Sequence, residues 1–138
     1  MDKIFLDAAY AIALASTNDR NHKKAVILAK EIEDRGRQMV TTYAVIFEIG
    51  NSLAKLRYRQ AAVDLIDSIE KDPNIEIIPI SERLHKRAFD LYRERMDKEW
   101  GLTDCISFIV MKDLGIREAL TADEHFQQNG FHALLRPA

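Results

Sequence analysis

One cysteine, three prolines, five glycines and a single tryptophan in 138 residues set the first limits. Cys105 stands alone, so no disulfide closes within the chain, and a reducing, cytoplasmic setting is the simplest expectation. No apolar run exceeds Ala8–Ala15, far short of the roughly 20 residues a membrane-crossing helix needs, so no membrane association is expected. Ala13-Leu14-Ala15 has the form of a signal-peptidase site. Asp7 would interrupt the apolar region before it, and cleavage there would remove the best strand candidate, so secretion is not expected. An excess of one charge is missing too. Lys and Arg total 20 against 22 Asp and Glu, for a net charge of −2, which excludes a nucleic-acid binder acting through bulk positive charge but leaves room for a local basic groove. Repeats, low-complexity stretches and linkers are also lacking, and the chain reads as a single domain over residues 1–138.

What is present suits a globular core: 47% apolar and 30% charged residues. Ile4, Phe5 and Leu6 form a short continuous apolar run within Lys3–Asp7, the signature of a strand buried on both faces. Ala8–Ala15 predicts a short helix, broken by Ser16-Thr17-Asn18-Asp19. His22–Arg35 carries Ala25, Val26, Leu28, Ala29 and Ile32 at helical spacing, with Gly36 as the stop. Gln38–Thr41 predicts a second strand, and Thr42 caps a helix over Tyr43–Tyr58, followed by another over Arg59–Lys71. After the Asp72-Pro73-Asn74 turn come a strand at Ile75–Ile80 and a helix from Ser81 to about Met96. Asp97–Gly101 reads as a loop, Thr103 as the cap of a helix over Asp104–Leu114, and Gly115 as its end. A strand at Glu118–Thr121, a short helix at Ala122–Gln128, a stop at Gly130 and a last strand at Phe131–Leu135 complete the chain. Strands alternate with helices throughout, which predicts an α/β fold, a three-layer α/β/α sandwich around a mainly parallel sheet.

In such sheets ligands bind at the carboxyl ends of the strands. Asp7 ends the first strand, Asp104 lies in the first turn of the helix assigned to the Thr103 cap, and Asp123 follows the strand ending at Thr121. All three are predicted at one edge. Glu48 stands within the otherwise apolar Ala44-Val45-Ile46-Phe47-Glu48-Ile49-Gly50, where burying a lone carboxylate is costly without a partner. A basic residue such as Lys55 or Arg57 would serve, and so would a divalent cation. Singly, Asp104 and Asp123 read as ordinary first-turn acids favoured by the helix dipole. Together, four converging carboxylates would repel one another, and a metal relieves that repulsion.

Four stretches carry a resemblance: Ile4-Phe5-Leu6-Asp7, Tyr43-Ala44-Val45-Ile46-Phe47-Glu48, Leu102-Thr103-Asp104-Cys105-Ile106-Ser107-Phe108 and Leu120-Thr121-Ala122-Asp123-Glu124-His125-Phe126. The last two are the most specific. With them the chain resembles a PIN domain, and in particular the VapC-type toxin ribonucleases of bacterial toxin–antitoxin pairs, over essentially its whole length. The resemblance implies that Asp7, Glu48, Asp104 and Asp123 are metal-binding and catalytic acids, that the cofactor is Mg²⁺ or Mn²⁺, and that the reaction is endonucleolytic hydrolysis of RNA phosphodiester bonds. It further implies a small antitoxin protein as partner and a homodimer. One position departs from the family, which usually has a serine or threonine just after the first aspartate; here Ala8-Ala9 follow Asp7.

That departure is the one feature favouring a second function, a PIN-like module that binds RNA or protein with weak or no catalysis. A third class, aspartate-based phosphotransfer, fits poorly: a phosphatase would want a second aspartate where Ala9 stands, and a receiver domain would want an acidic pair near the first strand. Of the remaining residues, Cys105 reads as core packing, and Tyr10, Tyr43 and Trp100 as core rather than base-stacking platforms. His125 could approach the phosphate from its position two after Asp123 but reads as capping or packing at least as well. Arg83, Lys86, Arg87, Arg93 and Arg95 form a basic run on one predicted helix, either a solvated face or a strip tracking RNA phosphates.

Overall fold

The computed structural model describes residues 2–137. Its elements are β1 (Ile4–Leu6), α1 (Ala8–Ala15), α2 (His22–Arg35), β2 (Met39–Thr42), α3 (Tyr43–Ser52), α4 (Leu56–Lys71), β3 (Ile75–Ile78), α5 (Glu82–Glu94), α6 (Leu102–Leu114), β4 (Glu118–Leu120), α7 (Glu124–Gln128) and β5 (His132–Ala133). The strands form a five-stranded sheet in the order β3-β2-β1-β4-β5, every neighbouring pair parallel. Helices flank it, as the alternating pattern predicts. β1 is central, which explains its three apolar residues: it is covered on both faces, and Ile4, Phe5 and Leu6 are all buried. The chain first winds outward from β1 through β2 to β3, then returns to place β4 on the other side of β1. That reversal opens a crevice at the carboxyl ends of β1 and β4.

Two aspects of packing hold this edge. Phe108 of α6 is fully buried and meets Trp100 and Phe126 edge-on, both at 5.0 Å between ring centroids; Phe126 of α7 in turn lies 6.3 Å from Phe5 of β1. Burying one such ring contributes roughly 1.5–3 kcal/mol. This aromatic chain fastens the start of α6 and the whole of the short α7 to the central strand. Cys105 packs in the same core with no exposed surface, and Tyr10 and Trp100 are buried as well, whereas Tyr43 is exposed.

Several boundaries differ from the sequence expectation. The helix expected over Tyr43–Tyr58 stops at Ser52, and α4 begins afresh at Leu56. The apolar spacing through Leu53 and Leu56 runs on without a gap, but α3 and α4 pack on each other and a hairpin requires a break. Arg59 closes it by donating two hydrogen bonds, 3.1 and 2.7 Å, to the Ala54 carbonyl. β3 ends at Ile78, one residue before Pro79, which has no N–H to pair. The cap of α6 is Gly101, not Thr103, which lies inside the helix. The backbone N–H of Gly101 donates to the Asp104 carboxylate at 3.0 Å, so Asp104 itself supplies the capping bond. Gly36 and Gly115 stop α2 and α6 as expected, both in the left-handed conformation (φ 60° and 66°).

Candidate metal centre and active site

The parallel register sets Asp7 at the carboxyl end of β1 beside Thr121, which follows Leu120, the last residue of β4. Thr121 is fully buried, and its hydroxyl donates to Asp7 Oδ2 at 2.7 Å while accepting the backbone N–H of Asp123 at 3.0 Å. One side chain thus ties two of the four acids together. Asp123 is the N-cap of α7, accepting the His125 N–H at 2.9 Å. The turn of α7 brings the His125 ring back over the site, with Nδ1 at 3.1 Å from Asp104 Oδ2 and 3.3 Å from Asp123 Oδ1. One ligand atom each from Asp104, Asp123 and His125 lie within 4.8 Å of one another.

Glu48 reaches the site from α3. The sequence expectation of a buried carboxylate needs correction here. Val45, Ile46 and Ile49 form the buried stripe of α3, and Glu48 falls outside it, exposed on the wall of a cleft. Neither Lys55 nor Arg57 pairs with it among the described residues. The cleft, of about 470 Å³, is bordered by Phe47, Glu48, Asn51, Asp104, Asp123 and His125, with Gly101–Thr103 at its rim. Asp7 is not part of the lining; it is buried deeper, only 6% exposed.

Electrostatics follow from this crowding. Burial raises the Asp7 carboxyl most, the charges of Glu48 and Asp104 add to the rise, and the Thr121 hydroxyl and Ala8 N–H oppose it, which leaves the group at about 7. Glu48 is raised by partial desolvation and by Asp104 and Asp123. Asp104 is raised by desolvation and by Asp123, against the stabilising Gly101 N–H and His125. No lysine or arginine forms an ion pair with any of the four acids among the described residues.

A family model for the PIN domain matches residues 4–132. The chain belongs to the PIN domain family. A search of curated proteins finds no match. Among solved structures, the fold is similar to VapC20 of Mycobacterium tuberculosis, described as a toxin that cleaves the sarcin–ricin loop, with a TM-score of 0.81 and 24% identity over 93% of this chain and 95% of that one. It is also similar to VapBC2 of Rickettsia felis, solved bound to a DNA fragment from their promoter, with a TM-score of 0.62 and 12% identity over 95% of this chain and 96% of that one. No helix of this PIN domain, among the described residues, is long and apolar enough to cross a membrane.

Sequence reasoning gave no site role to two residues of this PIN domain's candidate site. Thr121 was visible only as the end of a strand, and nothing local distinguishes a threonine that bonds a carboxylate 114 positions away. His125 was visible beside Asp123, but its contact with Asp104 depends on how α6 and α7 pack. The basic run, by contrast, is largely spent on ion pairs. Arg87 holds Asp113 through two bonds of 2.6 and 2.9 Å, Arg95 holds Asp97 at 2.9 and 3.0 Å, and Arg93 lies 3.7 Å from Asp90. These partners favour the solvated-face reading of α5 over an RNA-tracking strip.

Proposed function

We propose that the protein is a metal-dependent endoribonuclease that hydrolyses RNA phosphodiester bonds, and that it is the toxin of a type II toxin–antitoxin pair. The observation that carries this reading is the set of four acids converging at the carboxyl edge of a PIN-domain sheet with no lysine or arginine partner among the described residues. Such a set is held against its own repulsion, and a divalent cation is the natural counter-charge.

The donor chemistry fits. Hard cations such as Mg²⁺ and Mn²⁺ take oxygen ligands at about 2.1 Å, which places neighbouring ligands roughly 3 Å apart. Asp104, Asp123 and His125 each bring one potential ligand atom within 4.8 Å of the others, close enough to share one ion. Asp7, Asp104 and Asp123 would hold the ion directly or through water, and Glu48 would bind it or orient the attacking water. When bound, the ion would polarise the scissile phosphate and stabilise the leaving oxygen. The chain's own part is positional. Thr121 keeps Asp7 and Asp123 in register, Gly101 fixes Asp104, and the open cleft admits a phosphodiester beside Glu48.

RNA as substrate, a small antitoxin as partner and a homodimer are part of this proposal; the description of the M. tuberculosis relative as a sarcin–ricin loop cleaving toxin supports the first, and the VapBC2 description of the R. felis relative supports the second. A cytoplasmic location accords with the single, buried Cys105. A weakly catalytic binding module is favoured only by Ala8 and Ala9 after Asp7, and Thr121, just past β4, gives Asp7 a hydroxyl partner in any case. The test is direct. Purified protein should cleave RNA with Mg²⁺ or Mn²⁺ and stop in excess chelator; undiminished cleavage in chelator would sink the reading.

A further inference from the structure

A second charged feature lies at the same edge of the sheet and plays no part in the reading above. Arg20, Asn21, Lys24, Ala122, Leu135 and Arg136 surround a pocket of about 400 Å³, with Pro137 beside them. Its charged side chains are all cationic. Among the described residues none of Arg20, Lys24 and Arg136 forms an ion pair, unlike the arginines of α5. Asp19, the acid nearest in sequence, is engaged with the Asn21 N–H at 2.8 Å.

Three features suit this pocket to an anion. The first is the group of three cations. The second is the start of α2, the positive end of a 14-residue helix, where the N-cap Asn21 makes no side-chain capping bond, although the His22 N–H is already taken by the Asp19 carbonyl at 3.0 Å. The third is a fixed frame. Arg136 Nη1 donates to the Ala122 carbonyl at 3.0 Å, and Lys24 Nζ donates to the Arg136 carbonyl at 3.3 Å, so the pocket is tied to the turn after β4. That turn connects the two charged regions. Ala122 borders the cationic pocket, and Asp123, the next residue, borders the acidic cleft.

We propose that Arg20, Lys24 and Arg136 hold backbone phosphates of an RNA strand whose scissile bond lies in the acidic cleft. This rests on the nuclease reading. An acidic cleft by itself repels a polyanion, and a neighbouring cationic pocket supplies attraction to the flanking strand without placing a positive side chain on the metal-binding acids. The contacts would be to phosphate and therefore insensitive to base sequence.

The test is RNA binding across a salt series. A fluorescent single-stranded RNA is titrated in chelator with the wild-type protein, with Arg20→Gln/Lys24→Gln, and with Arg93→Gln as a control whose charge is already paired. Each phosphate contact on a single strand contributes about 0.7 to the slope of log K against log salt, so the double variant should lose about 1.4 from the slope and bind several-fold more weakly at low salt. The control should keep the wild-type slope. Arg20 and Lys24 are exposed, so thermal melts of the double variant should match the wild type. A wild-type slope in the folded double variant overturns the pocket's role and leaves the nuclease reading standing. Wild-type protein that neither binds RNA here nor cleaves it with Mg²⁺ or Mn²⁺ overturns both. Equal wild-type affinity for polyglutamate, lost in the same variant, would reassign the pocket to an acidic protein segment and overturn the phosphate assignment.

Discussion

Asp7, Glu48, Asp104 and Asp123 stand together without a lysine or arginine ion pair among the described residues, whereas Arg87 and Arg93 on α5 and Arg95 at its C-cap each have a carboxylate within 4 Å. Both groups look alike in a sequence, as runs or sets of like charge. The fold treats them oppositely. On α5 the charges are neutralised in place: Arg87 and Asp113 lock α5 to the end of α6, and Arg95 closes on Asp97 while its guanidinium lies 4.9 Å from the Trp100 ring centroid. At the sheet edge no lysine or arginine neutralises the acids among the described residues, and burial of Asp7, partial desolvation of Glu48 and Asp104 and mutual repulsion raise three of the four carboxyls. Compensated charge is scaffolding; uncompensated charge held by a rigid frame is where an outside cation is wanted.

The largest effect should come from breaking the acidic set. Asp104→Asn keeps the side chain's size and can still accept the Gly101 N–H, yet it should cut RNA cleavage at least about 100-fold. In chelator its melting temperature should stay level or rise, because one member of a repelling group is gone. A folded Asp104→Asn protein that cleaves like the wild type would remove Asp104 from the site.

Asp7 offers a sharper, thermodynamic version. Its folded carboxyl sits at about 7 against 3.8 for the ordinary group, so between those pH values the folded state holds a proton that the unfolded chain has released. Stability without metal is therefore highest below pH 4 as far as this group is concerned, and is lost as pH rises through about 7. The loss is of the order of 4 kcal/mol. Asp7→Asn should flatten this dependence, seen by urea unfolding in chelator at pH 5 and pH 8. Parallel pH profiles for variant and wild type would show that Asp7 carries no such penalty.

Thr121→Val keeps the shape but removes the hydroxyl shared by Asp7 and the Asp123 N–H. A loss of roughly 1–3 kcal/mol is expected for the unsatisfied buried partners. The chelator stability profile should also move to higher pH, since the bond that lowers the Asp7 carboxyl is gone. An unmoved profile would place the two acids' coupling elsewhere. The smallest effect belongs to the compensated side: Arg87→Gln should leave cleavage unchanged and barely alter the melting temperature, because its ion pair is exposed. Loss of cleavage in that variant would break the distinction between the two regions.

Much of the fold was legible because its signals are local. The apolar triplet of β1, the helical spacing of His22–Arg35 and the glycines at 36 and 115 each act through a few neighbours. The helix break at Leu53–Lys55 was not legible, since the apolar spacing continues across it and only the packing of α3 on α4 demands the turn. Glu48 was expected in the interior from its apolar neighbours, but a helix turns 100° per residue, and one side chain among apolar ones can still face out. Gly101 as the cap of α6 was hidden by the better capping residue Thr103 two positions on; Asp104 made the difference by reaching back to the glycine N–H.

By itself, then, the sequence determined the element types, the parallel α/β class, and the placing of Asp7, Asp104 and Asp123 beside strand ends or helix starts, because periodicity and end signals are short-range. Only the tertiary structure decided that β4 returns to lie beside β1, that Thr121 joins Asp7 to Asp123, and that His125 closes on Asp104. It also decided which cations are spent on carboxylates and which remain along the edge at Arg20, Lys24 and Arg136. These are contacts across tens of residues, set by strand order and core packing, and no local pattern in the chain encodes them.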